Sequence, residues 1–341
     1  MKRVSLKDIA TRAGVSVATV SFALNGRAMV ARGTADRIQS LAKEMGYCPN
    51  PLLASLAGKR FRSPEAVGGV PIALLCFPTL PGGSQRGSDY HVALEIEARK
   101  LGYAAKVYSI TDSMSPKQIC RELYHSMVQG VVITGSLDPN FLSEFDWAPY
   151  SVVQCARFSE SPPFNTVRPN IFQAIKSLFT VVRQRGYRRI GFAIGRHVSL
   201  LEDDEARYGA AIAMEAGYLT KRDQLPVYQG PILDAEAVLA WVRKTKPDAI
   251  IGFSVSYYWD LKTKGYRIPQ DIGFASMHLE ALEDTAFCSG LNQNRPEIAR
   301  QSILLLDQMI RNRERGIPGY PLHLLVPSLW NEGKTLRTLT D

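Results

Sequence analysis

The chain has 341 residues, 45% of them hydrophobic and 21% charged, and a formal net charge of +9. Such values are ordinary for a globular protein of two or three compact units. No apolar run approaches the eighteen residues of a membrane helix, and MKRVSLKDIA has the charge of a signal peptide without an apolar core after it, so a cytoplasmic location and no membrane partner are expected.

The first predicted elements lie in SLKDIATRAGVSVATVSFALN (Ser5 to Asn25). Ser5 and Asp8 have the spacing of a capping box, so a helix should start at Leu6. Leu6, Ile9, Ala10 and Ala13 repeat at helical spacing, and Gly14 ends the helix as a residue that accepts positive φ. Ser16 caps a second helix whose Val20 and Leu24 face back toward the first. Val17, Ala18, Ser21, Phe22 and Asn25 are left on a small outer face. That is the shape of a helix-turn-helix whose second helix enters a major groove. An ordinary helical hairpin is the other reading, and charge separates the two. Met1 to Arg62 holds eleven Lys/Arg against three Asp/Glu, which is eight of the nine net positive charges. Counterion release from phosphates rewards that concentration.

Thr34 is expected to cap a third helix to about Met45, with Ile38, Leu41 and Met45 on one face. In CPNPLLASLAGKRFRSP, Asn50 can cap a short helix with Pro51 at its first position, and Gly58 ends it. Leu52, Leu53 and Leu56 make that helix apolar. It is either a linker helix lying on the next unit or a hinge helix that pairs with a dimer mate and wedges a leucine into the minor groove.

LKDIATRAGVSVATVSFALNG, the stretch Thr34 to Met45, and GYCPNPLLASLAGKR together resemble the DNA-binding head of the lactose/galactose/purine repressor family over about sixty residues. The resemblance implies a dimeric regulator that binds double-stranded operator DNA. It implies base contacts from Val17, Ala18 and Phe22, and phosphate contacts from Ser16, Thr19, Ser21, Asn25 and Tyr47. Leu56 takes the wedge position with Leu53 against the mate's helix, and Leu6, Asn50 and Lys59 complete the expected DNA-contacting set. Many family members carry Arg where this chain has Phe22.

SPEAVGGVP (63 to 71) is a joint, after which strand and helix patterns alternate. Strands are predicted at Ile72 to Phe77, Ala105 to Ile110, Val131 to Thr134, Ser151 to Cys155, Ile190 to Ile194, Ala249 to Phe253 and Ile272 to Ser276. Helices are predicted at Tyr90 to Leu101, Pro116 to Met127, Phe172 to Arg185, Glu205 to Ala216, Ala235 to Thr245 and Pro296 to Arg311. The alternation argues for two parallel α/β lobes with a ligand cleft at the carboxyl ends of the strands. The expected fold class is an all-α helix-turn-helix head plus an α/β two-lobe core that resembles periplasmic binding proteins. Its expected domains are 1–48 (head), 49–71 (hinge helix and linker) and 72–341 (core). Lobe 1 would hold about 72–163 and 292–322, and lobe 2 about 164–291 and 323–341. The resemblance adds three crossovers, near Ser161 to Thr166, Gly290 to Gln293 and Pro321 to Leu325.

No dinucleotide fingerprint, P-loop, GxSxG elbow or HExxH is present, so the core reads as a binding core with no cofactor and no catalytic residues. Cys48, Cys76, Cys120, Cys155 and Cys288 are odd in number and scattered, as expected of reduced thiols without zinc. The resemblance implies an effector-gripping Arg after the first strand of the second lobe. Arg207 is its nearest match, although counting back from Gly217 puts Glu205 there. Where the family has Asn-Asp and a further Asp, this chain has Ser254, Val255 and His278. The expected effector contacts are Phe158, Arg207, Ser254, Tyr257, His278 and Gln293, with a small, sugar-like metabolite as effector. Two alternatives stay open: a small-molecule binding protein or enzyme of two-lobe fold with an incidental helical head, and a DNA-binding protein whose core binds only protein.

Overall fold

The computed structural model describes residues 6–24, 30–45, 69–77, 87–111, 114–135, 139–156, 162–197, 202–232, 234–279 and 287–338. They belong to two compact units, Met1–Val67 and Gly68–Asp341. In the first unit α1 (Leu6–Ala13), α2 (Val17–Leu24) and α3 (Arg32–Glu44) close around Ile9, Val20, Ala23 and Ile38, all 0% exposed. Gly14 has φ +68°, as the turn between α1 and α2 requires. The third helix begins two residues before the expected cap. Thr34 lies in its first turn, where its N–H donates to the Ala31 carbonyl at 2.9 Å. Ala23 fills the core position on α2, and Leu24 is only half-buried. Ser5, Asn25, Tyr47, Cys48, Asn50, Leu53, Leu56 and Lys59, and with them the predicted hinge helix, lie outside the described residues.

The second unit carries two sheets among its described residues. The first contains β1 (Val70–Cys76), β2 (Tyr103–Ser109), β3 (Gly130–Thr134), β4 (Ser151–Cys155), β5 (Asn165–Pro169) and β10 (His323–Val326). They run parallel in the order β10-β5-β4-β3-β1-β2. The second contains β6 (Ile190–Ala193), β7 (Ala249–Gly252), β8 (Gly273–Leu279), β9 (Gly290–Asn292) and β11 (Leu329–Asn331), in the order β11-β9-β8-β7-β6. Only β11, at the edge, pairs antiparallel.

Each sheet is buried on both faces, which is why most of its strands read as continuous apolar runs. On the first, α4 (Gly87–Lys100) and α11 (Arg295–Asn312) cover one face, and α5 (Pro116–His125) and α6 (Pro139–Glu144) the other. On the second, α7 (Ile171–Gln184) and α8 (Glu202–Tyr218) oppose α9 (Ala235–Thr245) and α10 (Ser256–Thr263).

The expected lobe boundaries require correction. Asn165–Pro169 and His323–Val326 both pair inside the first sheet, so the chain leaves it after Pro169 and not near Ser161 to Thr166. It returns to lobe 1 after Asn292, with α11 packed on the first sheet, and leaves again at Pro327 and Ser328. The three crossings are tied to one another. The Asn170 N–H donates to the Val326 carbonyl at 2.9 Å, and Asn294 Nδ2 donates to the Pro327 carbonyl at 3.3 Å.

Inside lobe 2 the Glu215 carboxyl on α8 is 6% exposed. Burial pushes its pKa from 4.5 up to about 7, against a hydrogen bond from the Leu225 backbone. A raised folded pKa makes an acid destabilising as pH climbs from its unfolded to its folded value, here from 4.5 to about 7. Glu215→Gln keeps the acceptor and cannot ionise. Relative to wild type it should gain about 1–3 kcal/mol between pH 5 and pH 8, as seen by denaturant unfolding at both. A constant difference across that range would show that Glu215 is ionised in the folded protein throughout.

Candidate nucleic-acid interface and ligand cleft

In the first unit, sequence and packing leave one face of α2 open. Ser16 Oγ accepts from the Thr19 N–H at 3.1 Å and lies 2.8 Å from Thr19 Oγ1, which caps the helix and fixes its first turn. Val17 is 44% exposed, Ala18 is exposed, and Ser21 and Phe22 are half-buried. α3 anchors the ends of the two preceding helices: Arg37 Nη2 donates to the Ala13 carbonyl and Gln39 Nε2 to the Ala23 carbonyl, both at 3.0 Å. These bonds satisfy C-terminal carbonyls that α1 and α2 cannot satisfy themselves. Leu6 is half-buried and packs on the core of the same unit.

In the second unit, polar and aromatic side chains converge from the carboxyl ends of both sheets. Arg207, on α8, is 9% exposed; its Nη1 donates to Asp204 Oδ1 at 2.6 Å, and its guanidinium lies 4.9 Å from the centre of the Phe253 ring. Asp204 is 4% exposed and also accepts from the His197 backbone N–H at 2.9 Å, with His197 Nδ1 2.8 Å away. Burial alone would raise the Asp204 pKa, but these hydrogen bonds and the Arg207 charge hold it below the usual carboxylate value.

Arg168, at the end of β5, reaches from lobe 1 to Asp203 of lobe 2 at 3.4 Å. Arg295, at the start of α11, lies with its guanidinium 5.8 Å from the Tyr90 ring centre in lobe 1 and Nη2 3.4 Å from His278 Nε2 in lobe 2. Polar side chains thus bridge the two lobes at these points.

Of the expected effector contacts, Arg207 and His278 are in this convergence. Of the two candidate positions on α8, Arg207 is buried and Glu205 is exposed. Ser254 and Gln293 are half-buried at the ends of β7 and β9. Tyr257 is corrected: it is 1% exposed in the lobe 2 core, and its hydroxyl donates to the Ile232 carbonyl. Its place on α10 turns the ring under the sheet. Phe158 lies outside the described residues. Arg168, His197, Asp203, Asp204, Phe253 and Arg295 were not singled out from the sequence. Their common signal is a position at or just beyond a strand's carboxyl end or in the first turns of the helix after it. Among the described residues no group of three His, Cys, Asp or Glu could hold a metal ion, and no helix is long and apolar enough to cross a membrane.

A model of bacterial regulatory proteins of the lacI family matches residues 5–50. The HTH-type transcriptional repressor CytR of Escherichia coli (strain K12) is 25% identical over 327 residues, which cover 89% of this chain and 89% of CytR. The structure is similar to a transcriptional regulator CelR–cellobiose complex, with TM-score 0.59, 18% identity and coverage of 98% of this chain and 100% of that one. It is also similar to the lac repressor dimer bound to operator and the anti-inducer ONPF, with TM-score 0.57, 17% identity and coverage of 98% and 99%. At such identities the structural likeness speaks for the fold, a helical head followed by two α/β lobes.

Proposed function

We propose, from the premise that this chain belongs to the lacI family of bacterial regulatory proteins, that α2 reads operator bases and that a ligand between the lobes controls operator affinity. Membership makes the chain a DNA-binding transcriptional regulator rather than an enzyme. The observation that carries the reading is the open, small-residue face of α2, held by α1 and α3 in the unit that carries most of the positive charge. Val17, Ala18 and Phe22 have no side-chain hydrogen-bonding group, so they read by apolar contact, with thymine methyls as natural partners. Ser16, Thr19 and Ser21 position the head on phosphates, with Leu6 beside them.

The lac repressor relative binds its operator as a dimer, and by that analogy this chain acts as a homodimer on a near-palindromic site. The CelR relative holds cellobiose, which supports a small polar, sugar-like effector near Arg207, His278, Ser254 and Gln293. A partner that is genomic DNA puts the protein in the cytoplasm.

The test begins with operator enrichment from a random DNA pool. Phe22→Arg supplies a fork that matches the guanine edge, and the preferred half-site base should shift toward guanine at one position, with about 1–3 kcal/mol of new discrimination. An unchanged enriched sequence would remove Phe22 from the groove. Operator affinity is then titrated with metabolites, and a ligand that binds without changing that affinity would sink the regulatory half of the proposal.

A further inference from the structure

Lobe 2 carries a depression on the side of its sheet away from the ligand cleft. Arg185 follows the last turn of α7 and precedes β6, and Pro269 and Gln270 precede β8. Glu332, Lys334 and Arg337, on the segment after β11, line the same depression. β6, β7 and β8 are parallel, so these residues stand at the amino ends of the strands, opposite the ends that face lobe 1. The volume is about 540 Å³, the size of a small-molecule site.

Arg185 carries the argument. Its side chain is 6% exposed. Nη1 donates to the Arg337 carbonyl at 2.9 Å, and Nη2 donates to Glu332 Oε2 at 2.7 Å. The same Glu332 oxygen accepts from Trp330 Nε1 at 2.9 Å. Arg185 Nε is buried and has no acceptor among the described residues. A guanidinium donates in parallel from Nε and one Nη, a fork that matches two oxygens of a carboxylate or a phosphate. Glu332 meets Arg185 with a single oxygen. A buried charged group with an unmet N–H is costly, and its presence calls for an explanation.

Glu332 is the exposed member of the pair, at 58%, so its carboxylate can turn into water when another acceptor arrives. Lys334 and Arg337 are exposed at the rim. The Arg337 guanidinium lies 4.6 Å from the centre of the Tyr187 ring, and among the described residues neither rim cation forms an ion pair.

We propose that this depression is a second ligand site, for a small molecule bearing a carboxylate or a phosphate. The oxyanion takes the Nε and Nη2 donors of Arg185 together, in place of the single Glu332 oxygen, and Lys334 and Arg337 attract it from the rim. The site is separate from the cleft and does not rest on the cleft being the effector site.

The test is calorimetry on the full chain with inorganic phosphate and glucose 6-phosphate at constant ionic strength. Glu332→Gln removes the competing charge and should tighten phosphate binding about fivefold. Lys334→Gln combined with Arg337→Gln should weaken it about tenfold, and both side chains are exposed, so the fold is kept. Arg185→Lys keeps the charge without the fork and should also weaken it about tenfold. Should Arg185→Lys fail to fold, the Glu332 and rim variants decide the matter.

No phosphate binding to either wild type or Glu332→Gln overturns the proposal. So does a rim effect without a Glu332 effect, which means attraction at a distance and no seat on Arg185. Phosphate affinity that falls in Arg207→Ala and is unchanged in the rim variant would put the anion in the cleft and overturn the second site.

Discussion

Ile38→Ala should bring the head close to its unfolding midpoint and weaken operator binding while the second unit stays folded. Ile38 is 0% exposed at the centre of α3 and shares a core with Ile9, Val20 and Ala23, which are equally sealed from water. Truncating a buried isoleucine to alanine costs about 2–5 kcal/mol, the lost transfer energy plus the cavity left behind. A unit of this size with a single small core holds only about 3–5 kcal/mol in total. The substitution therefore takes most of the head's stability, and α2, too short to persist alone, goes with it. Operator binding by fluorescence anisotropy should fall with the folded fraction of the head, by up to about thirtyfold where about 5 kcal/mol is lost from about 3. The calorimetric transition of the second unit should be unmoved, because Gly68–Asp341 has its own four clusters of buried apolar side chains. A melting transition of the head unmoved by the substitution would mean that the head draws its stability from elsewhere.

Asp204→Asn should destabilise the second unit by about 1–3 kcal/mol near neutral pH, because it removes the nearer of two carboxylates that compensate one buried charge. Here that charge is Arg207, 9% exposed and 2.6 Å from Asp204, with the His197 backbone N–H also bound to the same carboxylate. The asparagine keeps the size but only one acceptor, so the loss combines the charge with the hydrogen bond of one of the two donors, Arg207 on Oδ1 or His197 on Oδ2. The pH dependence follows from the direction of the shift. The folded pKa of Asp204 is depressed, so its stabilisation is fully present above the ordinary carboxylate value of 3.8 and is lost as pH falls through the lower folded value. The gap between wild type and variant should be widest above the ordinary value of 3.8 and narrow as pH falls below it. Unfolding midpoints that run parallel through that value would show that Asp204 contributes through shape alone. Ligand affinity should fall in the same variant, since Arg207 loses the partner that orients it across the Phe253 ring.

Much of the head was legible because its signals are local. A capping serine at 16, a glycine at 14 and an apolar repeat through Ile9 and Val20 each act within one or two turns, and the structure has helices at Leu6–Ala13 and Val17–Leu24 around them. The seven predicted strands are present within a few residues for the same reason. A parallel strand covered on both faces must be apolar throughout, and such runs stand out. The four strands not predicted are short or carry polar ends. NTVRP contains an arginine and a proline, Gly290–Asn292 and Leu329–Asn331 have three residues each, and His323–Val326 is an edge strand with half its side chains in solvent.

The sequence by itself determined the helix-turn-helix head, the charge concentrated on it and the alternation that demands parallel sheets. Each of these follows from the chemistry of neighbours along the chain. Only the tertiary structure decided which sheet receives Asn165–Pro169 and His323–Val326, and therefore where the lobes divide. It also decided that Tyr257 belongs to a core and Arg168 to a cleft. These depend on contacts between residues such as Thr166 and His323, far apart in sequence, whose pairing is selected by total burial and hydrogen-bond satisfaction over the whole sheet. The same holds for Arg168 and Asp203, which meet only because the two lobes present the carboxyl ends of their strands to each other.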